Sequence, residues 1–225
     1  MKSLHTLTRH KVFRKTHDPI WQLQLSVIII MLLQALTDSS FLPYNKFIII
    51  GFEAVLLVVL AAVTSDGYSK ISQSRRAVAL FLIALVAVIN VFSLVFLSQL
   101  LMSGHTDGLN LEDILKSGFA IYTTNIFMSA LLYWEMDGGG PDHRISSNKK
   151  RDFLFPQMIH KSVSEADWQP GFIDYLYLSG TNVTNFASAD TVPISHRAKL
   201  LMMAQALISV AAVVLVAARA IGLMN

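Results

Sequence analysis

Side chains that carry oxygen atoms are concentrated in one short stretch of this chain, residues 181–190. A short amphipathic segment precedes the stretch, and an apolar segment over residues 199–221 follows it. Oxygen atoms can replace the hydration shell of a cation, and irregular backbone at membrane depth is tolerated only where protein or water satisfies its polar groups. We therefore predict a pore or filter-like segment whose candidate residues are Thr181, Thr184, Asn185, Phe186, Ala187, Ser188 and Asp190.

These candidates differ in the chemistry that each can supply. The oxygens of Thr181, Thr184, Asn185 and Ser188 would line a constriction. Asp190 would lie at its mouth, where a ring of carboxylates concentrates cations. A second role for Asp190 is that of a cap, in which its side-chain oxygen accepts from free amides at the turn before the last helix. The two roles are compatible.

Glu53 is a carboxylate well inside an apolar segment, residues 47–63. Charged side chains at the centre of a membrane helix cost roughly 2.5–3.5 kcal/mol on insertion scales, so they face a partner or a cavity. One interpretation is an intramembrane ion or proton site, which would suit a proton-coupled transporter. The other is a carboxyl group that is neutral or hydrogen-bonded to a neighbouring helix.

Residues that would indicate other chemistry are absent or scattered. The chain has no cysteine, and its seven histidines include no pair at a metal-ligand spacing on one helix. No nucleotide-binding loop, Ser/His/Asp arrangement or zinc signature occurs in the sequence. We expect no enzymatic activity, no metal site, no cofactor and no nucleic-acid partner.

Long apolar runs must position the candidate residues. Hydrophobic residues make up 53% of the 225 residues and charged residues only 15%, which is typical of an integral membrane protein. A helix of about 20 apolar residues crosses a hydrocarbon core. We predict five transmembrane helices, at residues 20–36, 47–63, 77–102, 115–134 and 199–221.

The predicted fold is therefore an all-α integral membrane protein with about five transmembrane helices and a re-entrant helix and loop before the last one. Residues 1–136 form an N-terminal arm and a four-helix membrane region, residues 137–170 an exposed polar loop, and residues 171–225 the pore-like part. Glu135 and Asp137, beside Tyr133 and Trp134, are predicted to anchor a helix end at the membrane interface. Gly118 and the alanines of the last helix favour a tightly packed bundle or an oligomer.

Positive charge predicts the orientation. The net charge is +3, and 15 of the 18 lysines and arginines fall in the N-terminal arm, after the second predicted helix, and between the fourth and fifth. The positive-inside rule then places the N-terminus and residues 137–195 in the cytoplasm. We expect the bacterial inner membrane as the location.

The C-terminal quarter, about residues 172–222, resembles the pore module of potassium channels. Leu176-Tyr177-Leu178-Ser179 is similar to the end of a pore helix, and Asp190-Thr191-Val192-Pro193 to the turn after a selectivity filter. Residues 185–189 stand where the filter glycines would be. The resemblance implies a channel for monovalent cations, potassium or sodium, that assembles in the lipid bilayer as a homo-oligomer, with four chains around one pore.

Two features leave alternatives open. The chain has no glycine between Thr181 and Asp190, so a row of inward-facing carbonyls is harder to build than in a potassium filter. A non-conducting membrane scaffold that binds partners and retains the channel fold would fit this feature. A potassium pore loop also enters from outside, whereas the charge count places this loop inside. One segment then does not span, or the loop enters from the cytoplasm as in glutamate receptors, or the resemblance does not extend to function.

A second resemblance covers more of the chain. Tyr133-Trp134, Gly138-Gly139-Gly140, Phe155-Pro156 and Asp174-Tyr175-Leu176-Tyr177 are similar to a bacterial family of multi-span membrane proteins known only as a domain of unknown function. This resemblance implies a shared fold and supplies no activity.

Overall fold

The chain is all-α, as predicted, in a computed structural model that describes residues 21–37, 45–65, 72–103, 110–144, 150–159, 168–184 and 190–224. The long helices are α1 (Trp21–Leu36), α2 (Lys46–Ser65), α3 (Ser72–Ser103), α4 (Leu111–Met136) and α8 (His196–Met224). The shorter helices are a 3-10 turn (Asp137–Gly139), α5 (Pro141–Arg144), α6 (Pro156–Ile159) and α7 (Phe172–Thr184). Two short strands, β1 (Phe153–Leu154) and β2 (Val192–Pro193), pair antiparallel.

Helix α4 is the centre of the fold and packs against α1, α3, α7 and α8. Its last turns carry Tyr133 and Trp134, both fully buried. The ring centroid of Tyr133 lies 5.2 Å from that of Phe153, and the centroid of Trp134 lies 6.1 Å from that of Phe172. Large aromatic side chains dominate the energy of a packed core, so these contacts fix β1 and the start of α7 against α4.

Helices α4 and α8 approach closely at Gly118. A Cβ atom on this glycine would lie 2.3 Å from Cγ2 of Val216, which is less than a real contact allows. The prediction that Gly118 permits close helix packing is confirmed. An oligomer stays a prediction.

Helices α1 and α2 meet at one end of the bundle. Lys46 Nζ donates to the carbonyl oxygens of Thr37 and Ala35, at 2.9 and 3.1 Å, and so satisfies acceptors that the end of α1 leaves free. Residues 38–44, which connect these two helices, lie outside the described residues.

Helices α7 and α8 begin at the same end of α4 and run antiparallel to it. Tyr175, near the start of α7, contacts Asp137 at the end of α4, and further along α7 Ser179 Oγ donates to the carbonyl oxygen of Ile126 at 2.7 Å. Along α8, Ser209 accepts from Asn125. Helix α7 thus runs along α4, away from the end that carries Asp137. The chain returns to that same end before α8 begins.

The outer face of the bundle is apolar. Large hydrophobic side chains are exposed along the long helices, among them Leu32, Phe47, Val58, Phe81, Phe92 and Leu207. Polar side chains are instead buried between the helices, including Gln34, Glu53, Asn90, Asn125 and Gln205. Large apolar patches on a protein surface are typical of regions that contact lipid or another protein.

Two of the described helices are long and apolar enough to cross a membrane, within residues Arg75–Ser103 and His196–Gly222. Helix α1 is apolar but has only 16 residues. The described helices therefore do not reach the predicted count of five spans by length and composition.

The prediction of an exposed loop over residues 137–170 is wrong for most of the part that the structure describes. Asp137, Arg144, Asp152, Phe153 and Phe155 are all buried. A run of glycines and charges indicated solvent exposure, but the charges pair with one another, and paired charges can be buried.

Candidate functional site

The carboxylate of Asp137 joins α4, β1 and α7. Its Oδ1 accepts from the backbone amides of Asp152 at 2.6 Å and Phe153 at 3.3 Å. Its Oδ2 accepts from the Tyr175 hydroxyl at 2.7 Å and from Nη1 of Arg151 at 3.2 Å. The side chain is fully buried, and a buried charge is stable only when its acceptor sites are filled in this way.

A glycine turn lets the chain reverse directly after this carboxylate. Gly138, Gly139 and Gly140 have φ angles of 61°, 91° and 96°, in the left-handed region that residues with a Cβ rarely adopt. A Cβ atom on Gly140 would also lie 3.2 Å from the carbonyl oxygen of Glu135. The turn therefore requires glycine, and it directs α5 back across the end of α4.

Arg144, at the end of α5, closes the turn. Its guanidinium donates to the carbonyl oxygens of Trp134 and of Pro170, the latter at 2.9 Å. It lies 4.9 Å above the ring of Tyr175, a cation–π distance, and its Nε is 3.9 Å from Oδ2 of Asp137. Arg144 thus satisfies the free carbonyl of Trp134 in the last turn of α4 and also fixes Pro170, in the segment before α7.

A second buried carboxylate ties α4 to α3. Glu135 accepts from Nη1 of Arg75 at 2.9 Å, and Arg76 donates to the Glu135 carbonyl oxygen at 3.2 Å. The Glu135 side chain is fully buried. The prediction that Glu135 and Asp137 anchor an exposed helix end at an interface is therefore wrong, because both are ion-pair partners inside the protein.

The start of α8 is fixed by Asp152. Both carboxylate oxygens accept from Arg197, at 2.7 and 2.6 Å, and the Asp152 carbonyl accepts from the amide of Ile194 at 2.8 Å. Burial alone would raise the pKa of Asp152, but hydrogen bonds from Arg197 and Ser195, together with the Arg197 charge, lower the pKa below its ordinary 3.8. We call Glu135, Asp137, Arg144, Arg151, Asp152 and Tyr175 the anchor cluster.

A buried polar seam continues from the anchor cluster between α4, α7 and α8, with Gln205 at its centre. Gln205 Oε1 accepts from the Tyr133 hydroxyl at 2.6 Å and from Nδ2 of Asn182 at 3.0 Å. Its Nε2 donates to Oγ of Ser179 at 2.6 Å. Asn125 Nδ2 donates to the backbone carbonyl oxygen of Gln205 at 3.0 Å. The polar seam comprises Asn125, Tyr133, Ser179, Asn182, Gln205 and Ser209.

Two of the predicted pore residues lie in the last turns of α7. The Thr181 hydroxyl donates to the carbonyl of Tyr177 at 2.9 Å, and the Thr184 hydroxyl donates to the carbonyl of Gly180 at 2.9 Å. Their protons are used within the helix, so each oxygen retains only acceptor capacity. Four further candidates lie outside the described residues: Asn185, Phe186, Ala187 and Ser188.

Asp190 is exposed and lies in the turn before β2. It does not cap α8, because Ser195 Oγ accepts from the amide of Ala198 at 3.2 Å and is the capping group. The prediction was that Asp190 caps the turn before the last helix, and this role stays a prediction. Its role at a pore mouth stays a prediction.

Glu53 belongs to a different part of the protein. It is fully buried on α2, which packs mainly against α1 and α3, and its Oε1 accepts from Nε2 of Gln34 at 3.1 Å. The structure does not bring Glu53 to α7. Its predicted hydrogen bond to a neighbouring helix is confirmed, and its role as an ion or proton site stays a prediction.

Most of the groups that position α7 were not among the predicted site residues. Gln205 is a lone amide inside an apolar helix, and that isolation was the available signal, since a buried amide requires partners. Asp137 has its side-chain partners 14 and 38 residues further along the chain, in Arg151 and Tyr175. No local spacing could have paired these residues.

Comparisons with protein families, with curated proteins and with solved structures find no match to this chain. The anchor cluster and the polar seam are therefore interpreted from their own geometry.

Proposed function

We propose that this protein is an integral membrane protein that forms a cation channel, with α7 as a pore helix and α8 as the helix that lines the inner pathway. The observation that carries the proposal is that α7 and α8 begin at the same end of α4, beside Asp137 and Asp152. A re-entrant pore module consists of three parts. A short helix enters the membrane, a segment returns to the same side, and a second helix crosses the membrane.

The surface supports a membrane location. Exposed apolar side chains cover the long helices, and the amides and carboxylates lie between them. Transfer of exposed apolar side chains from water to a bilayer is favourable, which supports this location. In the proposed topology all five long helices cross the bilayer, and α7 enters from one side only.

In the proposed pore, side-chain oxygens take the place of filter carbonyls. Thr181 and Thr184 have their hydroxyl protons committed to α7 and offer lone pairs, which suit a cation. Asn185 and Ser188 would continue this lining, and Asp190, which is exposed, would attract cations at the mouth. One chain supplies one module, so we propose a homo-oligomer, with four chains around a pore for potassium or sodium.

The positive-inside rule sets the proposed orientation. Among the described residues, five arginines lie at the end of the bundle that carries the anchor cluster, and we propose that this end faces the cytoplasm. They are Arg75, Arg76, Arg144, Arg151 and Arg197. The pore loop then enters from the cytoplasmic side of the bacterial inner membrane, as in the inverted pores of glutamate receptors.

A flux assay tests the proposal. Purified protein is reconstituted into liposomes, and potassium and sodium uptake are measured for the unmodified chain and for Thr184→Ala, Asp190→Ala and Glu112→Ala. Glu112 is the matched control, because it is also an exposed carboxylate but lies at the other end of α4. We expect the unmodified protein to conduct cations. Thr184→Ala and Asp190→Ala should change this flux, and Glu112→Ala should leave it unaltered. Folded, monomeric protein without flux would refute the channel.

The contacts of α7 favour one alternative, a non-conducting scaffold. Ser179 and Asn182 pair with α4 and α8 of the same chain, so α7 is held as a fixed core helix. If the protein is a scaffold, we expect no cation flux. We also expect substitutions that remove the hydrogen bonds of the polar seam to unfold the protein. The flux assay separates the two proposals.

A further inference from the structure

The first turn of α8 carries exposed basic side chains beside exposed apolar ones. Arg197 and Lys199 are both exposed, as are Leu200 and Met203 in the next turn. Residues three and four apart on a helix are neighbours, so Arg197 lies beside Leu200 and Lys199 lies beside Met203. The two cations therefore border one end of an apolar surface.

Asp152 holds the Arg197 guanidinium in a fixed orientation. Nε and Nη2 donate to the two carboxylate oxygens at 2.7 and 2.6 Å. A guanidinium has five N–H groups, so both N–H groups of Nη1 remain for another acceptor. The Arg197 side chain is 59% exposed, which leaves the remaining donors at the protein surface. Such a planar set of donors matches the oxygens of a phosphate group.

The lysine charges at this end are not balanced within the part of the chain that the structure describes. Lys150 and Lys199 are exposed, and neither forms an ion pair with another described residue. Lys150 lies on the segment that leads into β1, and Asp152 on the same segment is committed to Arg197. The two lysines outnumber the exposed carboxylate of Asp190, in the turn before β2. The surface is therefore complementary to an anion.

Beyond its first turn the exposed face of α8 is apolar. Every exposed residue within residues 200–218 is apolar, over a length of about 27 Å at 1.5 Å per residue. Val192 and Ile194, just before α8, are also exposed and extend the apolar surface. A phospholipid has the same order, a charged headgroup followed by acyl chains, and the hydrocarbon core of a bilayer is about 30 Å thick. This order favours a lipid over a soluble anion.

We propose that the start of α8 binds an anionic phospholipid of the surrounding bilayer, of the phosphatidylglycerol class. Arg197 donates to the phosphate oxygens of the headgroup, and Lys199 supplies the balancing charge. The acyl chains lie along the apolar face that begins at Leu200 and Met203. The inference rests on the membrane location in the proposed function and does not depend on conduction.

Native mass spectrometry of the purified protein in a neutral detergent tests this site. Binding of phosphatidylglycerol and of phosphatidylcholine with the same acyl chains is compared for the unmodified protein, Lys199→Gln, Lys199→Arg and the control Lys116→Gln. Lys116 is also an exposed lysine, but it lies near the other end of α4 and pairs with Glu112.

The unmodified protein, Lys199→Arg and the control should all bind phosphatidylglycerol at least about fivefold more tightly than phosphatidylcholine. Lys199→Gln should lose about fivefold in affinity for phosphatidylglycerol, which corresponds to one lysine near an anionic lipid, and should keep its affinity for phosphatidylcholine. Because the lysine is exposed and makes no ion pair with a described residue, both variants should fold.

Three results would overturn the proposal. Equal affinity of the unmodified protein for the two lipids would show that the apolar face binds acyl chains without recognising a headgroup. An unchanged affinity of Lys199→Gln for phosphatidylglycerol would place the headgroup elsewhere. Displacement of the lipid by millimolar inorganic phosphate would show a phosphate site to which the acyl chains contribute nothing.

Failure of this inference is distinguishable from failure of the proposed function. Lipid binding is measured without ion flux, so a protein that does not conduct can still prefer phosphatidylglycerol, and a conducting protein can lack the preference. Protein that stays dispersed in water without detergent would instead refute the membrane location on which both depend.

Discussion

Replacing Asp137 by asparagine should separate α7 from the end of α4. The substitution keeps the shape of the side chain and one acceptor oxygen, which can remain on the amides of Asp152 and Phe153. The new NH₂ group cannot accept from the Tyr175 hydroxyl or from Arg151, which now bond to Oδ2 at 2.7 and 3.2 Å. Two hydrogen bonds to a charged acceptor are therefore lost.

The size of the effect follows from these two bonds. A buried hydrogen bond to a charged group contributes about 2 kcal/mol, which is the value for Tyr175. The Arg151 side chain is 22% exposed, so solvent screening limits its pair to about 1 kcal/mol or less. We expect the free energy of unfolding to fall by about 3 kcal/mol, at the lower end of the range for a broken buried ion pair.

Urea unfolding in mild detergent, followed by tryptophan fluorescence, measures this change. Trp134 is fully buried against Phe172 and reports on the same region. Tyr175→Phe removes only the hydroxyl and should cost about 2 kcal/mol. Asp190→Asn is the matched control, because Asp190 is exposed, and should change stability by no more than about 0.5 kcal/mol. If Asp137→Asn were as stable as this control, the anchor cluster would not hold α7.

Three further predictions concern the helix contacts around α4 and α8. Gly118→Ala should destabilise the α4–α8 contact by about 1–3 kcal/mol, and Val216→Ala in the same chain should restore part of the loss, which a double-mutant cycle of unfolding free energies measures. Gln205→Leu should cost at least about 3 kcal/mol in urea unfolding, because it leaves the Tyr133 hydroxyl and other buried groups of the polar seam without a partner; a smaller loss than for an exposed polar residue would contradict the seam. Since the pKa of Asp152 is lower in the folded protein than in the unfolded chain, its contribution to stability is complete above the unfolded pKa and is lost as the pH falls below 3.8 through the folded value. Asp152→Asn should flatten the stability profile in that acid range, and an unchanged profile would exclude this assignment.

The sequence predicted the parts of the fold that depend on local pattern. Apolar runs located the long helices, although α3 begins at Ser72, five residues before the predicted start, because Ser72–Arg76 are polar residues that continue a helix without adding to its hydrophobicity. The close approach of α4 and α8 at Gly118 was also predictable from local sequence, because a glycine within a helix has no side chain to keep a neighbouring helix away.

The rest depends on pairing between distant residues. Glu135 and Asp137 could be interpreted as interface residues only while their partners were unknown; Arg75 lies 60 residues away from Glu135 in the chain. Burial of these charges is favourable only when each has its partner, so the fold of the surrounding segments and the burial of the carboxylates arise together. The glycines after Asp137 belong to the segment that was predicted to be an exposed loop, whereas they form a left-handed turn that is buried.

The measurement that tests the channel most directly is thiol block of ion flux. The natural chain has no cysteine, so a single cysteine introduced at Asp190 gives no background reaction. Asp190→Cys and the control Glu112→Cys are reconstituted into liposomes, and potassium flux is recorded before and after a charged thiol reagent. The channel account predicts flux that the reagent abolishes in Asp190→Cys and leaves intact in Glu112→Cys. Folded protein without flux, or flux that modification of Asp190→Cys does not alter, would contradict it.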